Sequence, residues 1–194
     1  MIILFALIFW IGAVLLVWTY FGYPVFMAMW AKLRPRAIQP DDILPSLTML
    51  IPAYNEADVI RRKLENCTEL TYPADKLQIL VIDDGSDDGT ADIIREFETR
   101  GITLLQQPQR GGKISAVNRG FEEASGEIVV LSDASPSYEA DSLQTLVRSF
   151  ADDKVGVVVG TLAVWDDEAG VAKSAGLYWK YEAALRRWES KTGS

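Results

Sequence analysis

The sequence of 194 residues has no histidine and only one cysteine, Cys67. These absences exclude a disulfide framework and any zinc site built from cysteine and histidine, and they fit a reducing compartment for the soluble part of the chain. Basic residues are also few, 19 against 27 acidic ones, which gives a net charge of -8. Because that charge repels phosphate backbones and no basic patch is interleaved with aromatics, we expect no nucleic-acid binding. Catalysis must then come from carboxylates, lysines or hydroxyls.

Charged side chains are missing from the first 31 residues, whereas about 20 apolar residues suffice to cross a bilayer. No basic segment precedes this run and no small-x-small cleavage site follows it, which favours a retained transmembrane helix over a cleaved signal peptide. Lys32, Arg34 and Arg36 lie on its carboxyl side only. The positive-inside rule therefore predicts a single-pass anchor in the cell (inner) membrane, with the remainder of the chain in the cytoplasm.

Residues 32 to 46 form a basic, proline-rich stretch that disfavours helix and predicts a linker. The length that remains is enough for one globular domain with a substantial core. We expect that domain to span residues 47 to 165. An amphipathic helix is expected within residues 166 to 194, where one apolar stripe has helical spacing.

Five short apolar runs alternate with segments of helical periodicity. Such runs are typical of parallel strands covered on both faces, and the alternation indicates βα units, so the sequence predicts an α/β fold. The runs are LTMLI (47–51), QILVI (78–82), ITLL (102–105), EIVVL (127–131) and VGVVV (155–159). The predicted inward helix faces are Ile60, Leu64 and Cys67, then Ile114, Val117, Phe121 and Ala124, then Leu143, Leu146, Val147 and Phe150.

Polar residues follow the first four runs directly. In an open parallel sheet the ligand lies beyond the carboxyl ends of the strands, so these residues are expected to share one rim. Carboxylates converging with a lysine suggest a site for a metal and a polyphosphate or nucleotide. The rim residues are Tyr54, Asn55, Glu56, Asp83, Asp84, Lys113 and Asp133.

Each motif also has a purely structural explanation when it is taken alone. PAYNEAD can begin a helix with Asn55 as N-cap, and DDGSDDGT can be a turn in which Gly85 has positive φ and Ser86 or Asp87 caps the next helix. RGGK can be a flexible turn. The order of the motifs at successive strand ends favours the binding site over these alternatives.

The segments SLTMLIPAYNEADVI, LQILVIDDGSDDGTADII, RGGKISAVNRGFEEASGEIVVLSDAS and KYEAALRRWES, between residue 46 and about residue 190, resemble the membrane-associated glycosyltransferase family 2. The resemblance implies a GT-A fold with a Rossmann-like, mainly parallel sheet flanked by helices. It also implies transfer of a sugar, with inversion, from a nucleotide donor, usually UDP-linked, to a saccharide or lipid-linked acceptor.

The same resemblance implies the site residues and a divalent metal. Tyr54 would lie against the base, Asp84 would accept from the uracil ring and Asp83 would support it. The donor-binding set is Pro52, Ala53, Tyr54, Glu56, Asp83, Asp84 and Lys113. Asp133 would ligate Mg²⁺ or Mn²⁺, with Ser135, directly or through water, in the place of a second carboxylate. One aspartate can suffice, because Mg²⁺ is commonly held by one or two carboxylates together with substrate phosphates.

The family pattern continues to an acceptor region, a base aspartate and a Gln-x-x-Arg-Trp motif, none of which is present here. We therefore expect the donor-binding portion of an enzyme. Within this sequence Asp166 and Asp167 are the candidates for the general base, with a solvated turn as the alternative. The alternative is a nucleotide-sugar-binding module or scaffold without turnover. A dehydrogenase or P-loop enzyme is disfavoured, because G-x-G-x-x-G does not follow the first run and G-x-x-x-x-G-K-S/T is absent.

Overall fold

The structure is a computed structural model that describes residues 1–160 and 172–193. Contacts divide the chain into two units, Met1–Ile38 with Val159–Ser194, and Gln39–Val158. In chain order the described elements are α1 (Ile2–Val17), α2 (Tyr23–Leu33), β1 (Leu47–Ala53), α3 (Ala57–Thr68), β2 (Leu77–Asp83), α4 (Thr90–Arg95), β3 (Ile102–Gln106), α5 (Lys113–Glu123), β4 (Ile128–Leu131), α6 (Ser142–Val147) and α7 (Ala172–Ser190).

The first unit contains the predicted apolar helix. A π-helical turn, Trp18–Gly22, joins α1 to α2, so that Ile2–Leu33 is one helical stretch with mean hydropathy 2.7. Its length and composition are sufficient to cross a membrane. Within the same unit α2 packs against α7, where the Tyr23 hydroxyl donates to Glu189 Oε1 at 2.6 Å.

The second unit contains a four-stranded parallel sheet with strand order β3-β2-β1-β4. Leu47 of β1 is in register with Leu77 of β2 and with Ile128 of β4. Four of the five predicted strands are confirmed. The prediction for residues 155–159 is wrong: this run is irregular, and Val157 is 80% exposed. A strand requires a hydrogen-bonded neighbour, and no described strand pairs with this run.

Alternate residues of β1 enter two separate cores, as the pleat of a strand requires. Met49 and Ile51 pack on one face with α3, α4 and α6, and Leu50 packs on the other face with α5. The sheet is therefore covered on both faces, which explains its continuous apolar strands. Of the predicted helix faces, Ile60, Leu64, Cys67, Leu143 and Val147 are buried, and Leu146 and Phe150 are half-buried.

The predicted inward face of α5 is wrong in part: Val117 and Ala124 are half-buried, but the other two predicted positions are exposed. Ile114 is 79% exposed and Phe121 is 48% exposed, whereas Ala116 and Gly120 are fully buried against the sheet. The helix lies so close to the sheet that a Cβ atom at Gly120 would stand 2.8 Å from Cδ1 of Ile82. Small side chains make this approach possible, and a pattern based on large apolar residues cannot detect them.

Candidate active site

One cavity of about 370 Å³ lies where the carboxyl ends of β1, β2 and β4 meet the beginning of α5. Its position follows from the parallel sheet, because all strand ends of one polarity share an edge. Eight of the residues predicted to bind donor or metal line it together: Pro52, Ala53, Tyr54, Glu56, Asp84, Lys113, Asp133 and Ser135.

The loops after β1 and β2 are joined to each other beside this cavity. Asn55 has φ of 53°, and its N–H donates to Ser86 Oγ at 3.0 Å. Its side-chain amide donates to Asp87 Oδ1 at 2.8 Å and accepts from the Asp87 N–H at 3.1 Å. The structural explanation of this motif, in which Asn55 caps α3, is therefore wrong. Asp88 accepts from the Ala57 N–H at 3.0 Å, which satisfies one free donor of that helix.

Asp84 is buried and organises the glycine loop before α5. Its two oxygens accept from the N–H groups of Gly111 and Gly112, each at 2.7 Å. A carboxylate oxygen has two lone pairs, so Asp84 retains acceptor capacity toward the cavity that it lines. Gly85 has φ of 75°, as the turn explanation of this motif requires, and a Cβ atom there would stand 2.9 Å from Arg110 N.

Asp83 does not line the cavity. It is fully buried, its Oδ1 accepts from the Ser86 N–H at 3.3 Å, and its Oδ2 is without a hydrogen-bond partner among the described residues. Of the two predicted carboxylates, Asp84 thus lines the cavity and Asp83 does not.

Lys113 and Asp133 form an ion pair within the cavity wall. Lys113 Nζ lies 2.5 Å from Asp133 Oδ1, and both side chains are more than half exposed. The part of the chain that the structure describes holds no group of three histidine, cysteine or acidic residues that could bind a metal by itself. One carboxylate and the Ser135 hydroxyl fit a divalent ion only if substrate oxygens complete its ligand shell.

Sequence reasoning missed Arg110 as a lining residue. Its guanidinium lies 4.1 Å from the centroid of the Tyr54 ring, which is a cation–π distance. The sequence contains a signal for Arg110, because this residue begins the RGGK motif whose last residue, Lys113, was predicted to bind the donor. The two candidates for the general base, Asp166 and Asp167, lie outside the described residues.

Comparison with known proteins identifies relatives for this domain. The family model described as "Glycosyl transferase family 2" matches residues 48–193. The "probable glycosyltransferase YdaM" of Bacillus subtilis is 39% identical over 62% of this chain and 30% of its own length. The poly-beta-1,6-N-acetyl-D-glucosamine synthase of Staphylococcus aureus is 32% identical over 71% of this chain and 37% of its own.

Solved structures agree with the fold. The mannosyltransferase PcManGT from Pyrobaculum calidifontis, in complex with GDP-Man and Mn²⁺, is 37% identical with a TM-score of 0.66, over 74% of this chain and 44% of that one. S. aureus TarS in complex with UDP-GlcNAc is 22% identical with a TM-score of 0.52, over 56% and 32%, which supports the fold alone. The chain spans less than half the length of these relatives.

Proposed function

Because the chain belongs to glycosyltransferase family 2, we propose that its cavity binds a nucleoside-diphosphate sugar for transfer to an acceptor hydroxyl. The observation that carries the proposal is the joint lining of one cavity by an aromatic ring, Tyr54, a buried carboxylate, Asp84, and the Lys113–Asp133 pair. The aromatic ring suits the flat face of a nucleobase, the buried carboxylate suits the N–H donors of that nucleobase, and the lysine–aspartate pair suits a metal-bound diphosphate. The 37% identical mannosyltransferase, solved with GDP-Man and Mn²⁺, supports this donor class.

The base end of the cavity is assigned to Tyr54 and Asp84. A nucleobase has a flat face that stacks on an aromatic ring, and this contact is worth roughly 1–3 kcal/mol. Arg110 lies on the ring of Tyr54, so the base either displaces the guanidinium or stacks beside it. We assign Asp84 as the acceptor for a ring N–H, and the fully buried Asp83 as the residue that supports it. The family resemblance implies uridine as the base, although the mannosyltransferase was solved with a guanosine nucleotide.

The phosphate end is assigned to Lys113, Asp133 and Ser135. A divalent ion, Mg²⁺ or Mn²⁺, supplies charge neutralisation for the departing diphosphate when it is bound. Asp133 and Ser135 would hold that ion, directly or through water, and Lys113 is free to turn from Asp133 to a phosphate oxygen because its side chain is 67% exposed. The proposed role of the chain's own residues is thus to stabilise the leaving group.

The acceptor and the general base are proposed from the family and not from the described cavity. We propose inverting transfer to a saccharide or lipid-linked hydroxyl, with the base outside the described residues. The synthase relative is named for a polysaccharide product, which favours a saccharide acceptor. The Ile2–Leu33 helix supports a membrane anchor, and the basic residues after it favour a cytoplasmic domain. A donor-binding module without turnover is the second candidate function, because the chain covers less than half of its relatives.

Calorimetric titration of UDP and GDP into the full chain in detergent, with Mn²⁺ or with EDTA, tests the donor site. We expect the chain to bind nucleotide more tightly with Mn²⁺ than with EDTA. In Asp133→Ala this Mn²⁺-dependent gain in affinity should fall by about tenfold or more. Asp75→Ala, an exposed carboxylate at the amino end of β2 and so at the opposite edge of the sheet, is the control. No binding of either nucleotide to the folded chain would refute the proposal. Binding without hydrolysis or transfer of a matching nucleotide sugar would favour the module over the enzyme.

A further inference from the structure

We infer that Lys63 is a positioning residue that holds the loop after β4 and thereby sets where Asp133 and Ser135 stand in the cavity. The inference rests on the proposed donor site, because it concerns the placement of that site's metal-binding side. Lys63 belongs to α3, which contributes no residue to the cavity wall.

The position of Lys63 is unusual for its type. It is 1% exposed and ranks among the largest fully buried side chains of the described chain. Lysine is almost never fully buried unless it is paired, because removing an ammonium group from water is costly. Its contacts inside the protein must therefore offset that cost.

The ammonium group makes two contacts with the loop after β4. Nζ donates to the carbonyl oxygen of Pro136 at 2.7 Å and lies 4.2 Å from the centroid of the Tyr138 ring. A hydrogen bond from a cation and a cation–π contact are each stronger when water is excluded. Pro136 directly follows Ser135, so the bond acts one residue away from the cavity wall.

The ammonium group is charged near neutral pH. Burial lowers the pKa of Lys63 to about 8, while the neighbouring Cys67 and Asp133 act in the opposite direction. Asp133 thus interacts with two lysines, with Lys113 as an ion pair and with Lys63 electrostatically.

A second residue of α3 holds the same loop. Asn66, three residues after Lys63, accepts from the Tyr138 N–H at 2.7 Å and donates to the Tyr138 carbonyl at 2.8 Å. At the other end of the loop the Ser132 N–H donates to the Leu50 carbonyl at 3.0 Å. The segment that carries Asp133 and Ser135 is therefore held at one end by β1 and at the other by α3.

A long apolar side chain would fill the position of Lys63 at lower cost, since replacing buried ionic groups by hydrophobes is often neutral or stabilising. An apolar side chain cannot, however, fix the direction of the Pro136 carbonyl. We therefore attribute the buried lysine to the conformation of the loop and not to the stability of the core.

The test compares Lys63→Met, which keeps the length of the side chain, with Arg62→Met, which removes the same charge from an exposed position on the same helix. Hydrogen exchange of the full chain is followed over residues 132–140, with β1 and β2 as internal reference. UDP and GDP are titrated with Mn²⁺ and with EDTA. Asn66→Ala, which removes the second attachment without placing a new side chain in the core, provides an independent variant.

We expect Lys63→Met to accelerate exchange in the loop about tenfold while β1 and β2 stay protected. We also expect the Mn²⁺-dependent gain in nucleotide affinity to fall about tenfold, with the affinity in EDTA unchanged, and Asn66→Ala to act in the same direction. Arg62→Met should match the wild type in every measurement.

Unchanged loop exchange in both Lys63→Met and Asn66→Ala would overturn the inference. Faster exchange throughout the domain, with equal loss of affinity in Mn²⁺ and EDTA, would also overturn it, because that is the result for an ordinary core residue. If the wild-type chain binds neither nucleotide, the donor site itself fails and so does its link to Lys63, while the exchange pattern still decides whether Lys63 holds the loop.

Discussion

Lys113 donates to Asp133 at 2.5 Å, so the residue assigned to phosphate and the residue assigned to the metal neutralise each other within the cavity wall. A metal ion at Asp133 must compete with this ammonium group. A diphosphate that arrives with its metal removes the competition, because it offers Lys113 a new anionic partner. Metal and nucleotide should therefore bind together more readily than either alone.

We predict that Lys113→Met raises the affinity for Mn²⁺ alone and lowers the affinity for UDP or GDP. The expected gain for Mn²⁺ is a few-fold, since exposed ion pairs are worth about 1 kcal/mol or less. Titration of Mn²⁺ followed by electron paramagnetic resonance measures it. Arg119→Met, which breaks surface pairs with Glu122 and Glu123 on the same helix, is the control for lost charge. A lower affinity for Mn²⁺ would contradict the competition.

The Asp84→Ala variant should be less stable even without nucleotide. Removal of the Asp84 carboxylate leaves the N–H groups of Gly111 and Gly112 without their acceptor. We expect the free energy of unfolding to fall by roughly 3 kcal/mol. Denaturant unfolding followed by circular dichroism measures the loss. Asp87→Ala, in the same motif but exposed, should lose less than about 1 kcal/mol. Equal losses would show that Asp84 does not organise the glycine loop.

Gly126→Ala is expected to destabilise the sheet. A Cβ atom at this position would stand 2.4 Å from the Leu47 carbonyl carbon and 2.5 Å from Thr48 N, and backbone atoms cannot move aside as a side-chain tip can. Strain of this kind typically costs about 1–3 kcal/mol. Gly156→Ala, where a Cβ atom meets nothing within 4 Å, should leave the midpoint of thermal unfolding unchanged. A tolerated Gly126→Ala would mean that β4 can shift away from β1 at little cost.

The wild type should gain stability over Lys63→Met as pH rises. The pKa of Lys63 is about 8 in the folded chain, below the value of 10.5 for an unperturbed lysine, so between these values the unfolded state binds more protons than the folded state. The free energy of unfolding therefore increases with pH in this window and is lowest, as far as this group is concerned, below pH 8. Taking the difference between the two proteins cancels the groups that do not interact with Lys63, whereas the Cys67 thiol, whose pKa the neighbouring Lys63 lowers, does not cancel.

Denaturant unfolding of both proteins between about pH 7 and about pH 10 provides this comparison. The expected relative gain is on the order of 3 kcal/mol across the window. A difference that is independent of pH would mean that the folded pKa of Lys63 is not lowered.

The rim residues could be predicted because they depend on order along the chain. In a parallel sheet every strand end of one polarity lies at one edge, so Tyr54, Asp84 and Asp133 had to converge once the strands were identified. The apolar strands were equally visible, since they are buried on both faces. Among the predicted strands only the run at residues 155–159 was wrong, because an apolar pattern shows strand propensity and not whether a neighbouring strand is present to pair with it.

The buried lysine could not be recognised by residue type, because lysine is ordinarily assigned to the surface. Its position did carry a signal: Lys63 lies three residues after Ile60 and four before Cys67, on the same buried stripe of α3. The face of α5 was missed for the opposite reason, since Ala116 and Gly120 are too small to register as apolar anchors. In both cases burial was inferred from residue type alone, whereas it also depends on how closely the helix approaches the sheet.

Cys67 has a practical consequence for all of these experiments. It is the only cysteine of the chain, it is 2% exposed, and its Sγ lies 3.7 Å from Met49 Sδ. Burial raises the pKa of its thiol, so the reactive thiolate is scarce and shielded. The sequence as it stands should therefore not react with maleimide reagents while it is folded. A single cysteine introduced on the loop after β4 would carry a fluorophore or spin label alone, and would report the motion of that loop without further engineering.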